Sequence, residues 1–126
     1  MAIILGTLGE EMNLQIRQGA TFGPFLFAMK NPDNTPVDLT DCLIRGQIRK
    51  TPKSLEWTDL DVSITAPSLG EYQIGLSLEM TTAMDAGTTI TSQESLYVWD
   101  LELIDSMGLT TPLYYGTATV FREVTR

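Results

Sequence analysis

The feature that most constrains this chain is a strict alternation of apolar and polar residues in short runs, each cut off by turn-forming residues. The run "SLYVWDLELIDSMG", residues 95–108, is the clearest case. It places Tyr97, Trp99, Leu101 and Leu103 on one side and Val98, Asp100, Glu102 and Ile104 on the other. A period of two is the pleat of a half-buried β-strand and is incompatible with an amphipathic helix. The same pattern recurs in "NLQIRQG", in "CLIRGQIRK" with Cys42, Ile44, Gly46 and Ile48 facing one way, in "LDVSITA" and "GEYQIGLSL", and in "PLYYGTATVFREV". In "TFGPFLFAMK", Pro24 cannot donate to a ladder, so this strand belongs at a sheet edge or a bulge. "NPDNTP", "PSLG" and "DSMG" supply the turns, and "PSLG" predicts a hairpin between its flanking strands, the second of which carries Tyr72, Ile74, Leu76 and Leu78. "TPKSLEWTD" and "TTITSQE" read as polar connections. One helix is expected in "EMTTAMDAG", closed by Gly87. Seven or eight strands about 8 to 12 residues apart, with one short helix, predict an all-β chain folded as an antiparallel β-sandwich.

At 126 residues the chain suits one domain, placed at residues 13–126. Residues 1–12, "MAIILGTLGEEM", lie outside the strand pattern and read as an arm that docks on a neighbouring subunit, as a frayed terminus, or as sequence ahead of a start at Met12. Their apolar tip, Ile3, Ile4 and Leu5, is far shorter than a signal-peptide core and lacks a basic flank. No run approaches the roughly 20 apolar residues of a membrane span. These observations predict synthesis and folding in a cytoplasm.

Charge and residue inventory narrow the chemistry. Sixteen acidic residues against eight basic ones leave a net charge of −8, which disfavours nucleic acid and anionic lipid as partners. Histidine is absent, removing the usual general base and the commonest metal ligand. Cys42 is the only cysteine, so no internal disulfide or CxxC site exists, and its place on an apolar strand face predicts an inert thiol. Asp100 and Glu102 stand two apart on a strand, about 6.6 Å between Cα atoms, which is within reach of a glycosidase-like pair. They lie opposite the apolar face of their strand, so the alternation predicts a hydrated side rather than a catalytic one. Glu56, Asp59 and Asp61 gather around Trp57 without the spacing of a calcium loop. Asp33, Asp38 and Asp41 read as turn and strand-end residues. No catalytic, cofactor or metal residue emerges. The candidate partner contacts are Ile3, Ile4 and Leu5, the paired Arg45 and Arg49, and Trp57 in its polar connection.

Three long pieces carry a resemblance. "LQIRQGATFGPFLFAMKNPDNTPVDLTDCLIRGQIRK", "GEYQIGLSLEMTTAMDAG" and "YVWDLELIDSMGLTTPLYYGTATVFREVTR" together resemble small immunoglobulin-like structural proteins of tailed bacteriophages. The matching features are "QGATF", the "D-x-T-P-V-D-L-T" turn and strand, the G-x-Y strand, the "W-D-L-E-L" strand and the terminal "E-V-T-R". The resemblance implies an immunoglobulin-like sandwich similar to the N-terminal domain of phage upper-baseplate proteins. It further implies a non-enzymatic virion protein of the tail, baseplate or tail-fibre attachment, without cofactor, meeting other virion proteins in multiple copies of a symmetric assembly. The family usually anchors a longer fibre, whereas this sequence stops at "EVTR". The rival expectations are a module binding a glycan or small ligand, with Trp57 or Tyr114 and Tyr115 as stacking platforms, a capsid decoration protein, and an enzyme built on Asp100 and Glu102.

Overall fold

The computed structural model of the protein describes residues 9–84 and 94–123. In chain order the strands are β1 (Glu10–Glu11), β2 (Leu14–Arg17), β3 (Phe22–Ala28), β4 (Leu43–Arg49), β5 (Thr58–Asp59), β6 (Asp61–Ala66), β7 (Glu71–Leu76), β8 (Glu94–Ile104) and β9 (Thr110–Phe121). A 3-10 turn, Pro67–Leu69, joins β6 to β7, and the helix α1 spans Leu78–Ala83. The larger sheet runs β1-β9-β8-β4-β5, with β2 also on β9, and the smaller runs β3-β7-β6. Every strand pair is antiparallel except β1 and β2, which run parallel to β9. The protein is an all-β, immunoglobulin-like sandwich whose opening strands pair with the last strand, while β3 lies in the other sheet.

The alternation read from the sequence builds the core. Tyr97, Trp99, Leu101 and Leu103 of β8 are buried, as are Ile44 and Ile48 of β4 and Ala118 and Val120 of β9. From the other side Tyr72, Ile74 and Leu76 of β7 meet them, with Leu14, Ile16 and Phe22 closing one flank. Burying a side chain such as Ile16 stabilises by about 1.5–3 kcal/mol, so this shared interior is the main force holding the sheets together. Gly46 stands opposite Leu101, and a Cβ there would meet Leu60 at 2.6 Å and Leu101 at 2.9 Å. The missing side chain admits Leu60, the buried residue at which the chain passes from β5 in one sheet to β6 in the other.

Several local expectations change. Nine strands form among the described residues because two stubs escape a pattern-based reading. One, β1, lies in the segment read as an arm, and the other, β5, in the connection "TPKSLEWTD". Two-residue strands are too short to show a period. Leu78 does not extend β7. It opens α1 and is exposed, because Ser77 turns the chain and its side chain accepts from Met80 N at 3.2 Å as the helix N-cap. The helix therefore starts earlier than predicted and ends at Met84, which is extended; Gly87 lies outside the described residues. "TTITSQE" also lies outside them, apart from Glu94 at the start of β8. "PSLG" forms its hairpin through the 3-10 turn, with Gly70 at φ 68°. Pro24 sits, as expected, in an edge strand with a register shift between Phe22 and Phe25.

Candidate functional site

The outward face of the larger sheet gathers the side chains with binding chemistry. Its strands hold one residue each in lateral register, Asp59, Gln47, Asp100, Tyr115 and Glu11, from β5 across to β1. The pleat places Asp59, Gln47 and Asp100 here as the polar alternates of the buried Leu60, Ile48 and Trp99, and strand register adds Tyr115 and Glu11. An open groove runs here, lined by Gln47, Arg49, Pro52, Val98, Asp100 and Tyr115. Gly116, directly opposite Trp99, contributes backbone to its floor.

Two of the sequence-derived contact residues meet at one end of the groove. The Arg49 guanidinium lies 4.4 Å from the Trp57 ring centroid, a stack worth about 0.5–1 kcal/mol at an exposed site. Arg49 also donates to Gln47 Oε1 at 2.7 Å and to the Ser54 carbonyl. Trp57 Nε1 donates to Asp59 Oδ1 at 3.1 Å, which orients the indole while leaving it 48% exposed. Arg45 stays apart from this cluster and pairs its Nε with Glu102 Oε1 at 2.5 Å. Ile3, Ile4 and Leu5 lie outside the described residues.

The two carboxylates of β8 have different surroundings. Glu102 is half-buried and held by Arg45, whereas Asp100 lines the groove. Asp100 is open to solvent, but the groove walls withdraw enough water to raise its carboxyl above the ordinary value. The Glu102 charge adds to that rise, and Arg49 and Arg45 oppose it. Among the described residues, no group of three or more Asp, Glu, Cys or His side chains is arranged to hold a metal ion. Cys42 precedes β4 and is half-buried, and burial followed by the charges of Asp105, Asp38 and Asp41 pushes its thiol up. Asp33 and Asp38 are turn residues as expected, each accepting from a Thr hydroxyl two positions on at 2.6 Å.

The structure revises one sequence-derived platform. Tyr114 points inward, half-buried, with its ring edge-on to Phe27 at 5.6 Å, so it offers no outward stacking surface. Tyr115, its neighbour on the opposite face, does. Gln47 and Pro52 were missed as site residues. Alternation marks Gln47 as outward, but only the cross-strand register sets it between Asp59 and Asp100.

No protein-family model matches the chain, and no curated protein matches its sequence. No helix among the described residues is long and apolar enough to cross a membrane. The class defined by fold and site is an immunoglobulin-like β-sandwich with an open, mixed aromatic and charged sheet face.

Proposed function

We propose that this chain is a non-enzymatic structural protein of a tailed-phage particle, an adaptor of tail, baseplate or tail fibre that acts through contacts with other virion proteins. The observation that best supports protein contact is the Trp57–Arg49 stack at the rim of an open sheet face, beside the groove containing Tyr115. Trp, Arg and Tyr are the residue types that carry most binding energy at protein interfaces. The placement in a tail rests on the resemblance of residues 14–126 to phage immunoglobulin-like proteins. Mass spectrometry of purified particles tests it. Stoichiometric peptides in the tail fraction are the expected result. Peptides confined to the capsid fraction favour a decoration role, and their absence from particles ends the proposal.

A second reading, a glycan-binding module, draws on the same face, because Trp57 and Tyr115 stand among Asp59, Gln47 and Asp100. One side of the Trp57 ring is already occupied by Arg49, which leaves the other for a sugar. A glycan array with hits lost in Trp57→Ala supports this reading, and an array without hits removes it.

A further inference from the structure

In the smaller sheet, β3 pairs with β7 and, among the described residues, no strand lies along its other side. Two adjacent residues of that strand, Phe25 and Leu26, are 47% and 64% exposed. Successive side chains of a strand point to opposite faces, so a partner lying on either face would cover only one of them. A strand added along the edge would cover both. Proline at position 24 and the register shift between Phe22 and Phe25 block one end of the edge, leaving residues 25–28 as the stretch able to pair.

We propose that this edge accepts residues 2–5, "AIIL", of a second copy of the chain as an added strand. The length matches the available stretch, and the β-branched Ile3 and Ile4 suit an extended conformation. The direction of the chain favours a second copy over its own edge. From β1 to β2 the backbone runs toward the turn that leads into Phe22. Glu10 is in register with Tyr114, whose ring meets Phe27. At Gly9 the described backbone therefore lies near the far end of β3 and, read backward, points away from Phe25, a direction that favours a neighbour's edge over its own. Two-way exchange gives a dimer, and one-way exchange a chain of copies. The inference needs only self-association and does not depend on the phage reading.

Sedimentation velocity on the full chain tests it, alongside two variants and their mixture. Ile3→Asp/Ile4→Asp removes the donor segment and leaves the edge intact. Leu26→Asp removes the acceptor at an exposed position and leaves the donor intact. An equimolar mixture of the two variants restores one donor and one acceptor. Circular dichroism confirms that each variant is folded. The expected result is self-association of the full chain, at least about tenfold weaker in each variant alone, and a 1:1 complex in the mixture. A monomeric full chain, or variants that associate as the parent does, overturns the proposal. So does a mixture that stays monomeric.

Discussion

The indole N–H of Trp99 donates to the backbone carbonyl of Met12 at 2.7 Å, across 87 positions of sequence. Trp99 is 3% exposed, so this bond is made in the interior, where an unpaired N–H or C=O is costly. It passes over Gly116, the cross-strand partner of Trp99, and ties the opening strands to the sheet formed by the last ones. Two more hydrogen bonds join the segments there: Met12 N donates to Tyr115 O at 2.8 Å, and Asn13 Oδ1 accepts from Thr117 N at 3.1 Å.

Trp99→Phe keeps an aromatic ring but removes the donor and some volume. The expected cost is about 2 kcal/mol in urea unfolding, from the orphaned Met12 carbonyl and the small cavity. Trp57→Phe, at the surface, is expected to change stability by no more than about 0.5–1 kcal/mol. Equal losses in the two variants would show that Trp99 is not the tie.

At Gly116 a Cβ would lie 2.2 Å from the Met12 carbonyl oxygen and 2.8 Å from Asn13 Oδ1. Gly116→Ala therefore has to displace backbone, and a loss of about 2–3 kcal/mol is expected. Hydrogen exchange should accelerate in β1 and β2 before the rest of the larger sheet. Uniform loosening, or none, contradicts the close approach of the two chains.

The fully buried Thr81 donates its hydroxyl to Ala20 O at 2.9 Å, joining α1 to the turn between β2 and β3. Thr81→Val is expected to cost about 1–2 kcal/mol by leaving that carbonyl unpaired. Thr82 bonds only within the helix, to Leu78 O, and is exposed, so Thr82→Val should be close to neutral. Thermal unfolding of the pair provides the comparison.

Asp100 provides a pH test. Its folded carboxyl is raised above the unfolded value, so the native state holds the extra proton in the window between the two. Stability is thus lost as pH rises through that window, and the penalty is fully present at neutral pH. Asp100→Asn should stabilise at pH 7 and lose that advantage as the solution is acidified below the ordinary carboxylate value. A stabilisation that persists unchanged in acid would point to a cause other than charge. Glu102→Gln, by contrast, breaks a partly exposed ion pair with Arg45 while removing a charge that repels Asp100, and is expected to cost at most about 1 kcal/mol.

Much of this architecture was legible in the chain itself. Alternation alone divides β8 into a buried Tyr97–Trp99–Leu101–Leu103 side and a wetter Asp100–Glu102 side, because the pleat obliges neighbours to face opposite ways. It likewise orients Ile44 and Ile48 inward and Arg45 outward. What the alternation could not reveal is lateral neighbourhood. That Trp57 covers Arg49, that Tyr115 flanks Asp100, and that Tyr114 turns in against Phe27 all depend on which strands lie side by side. Pairing between strands distant in sequence is set by the global packing of two sheets, which no local period encodes. The same holds for β1 and β2, whose parallel seat on β9 depends on the missing side chain of Gly116 and the reach of one indole. Local periodicity thus determined which face of each strand is dry, and the long-range register decided which side chains meet on the wet one.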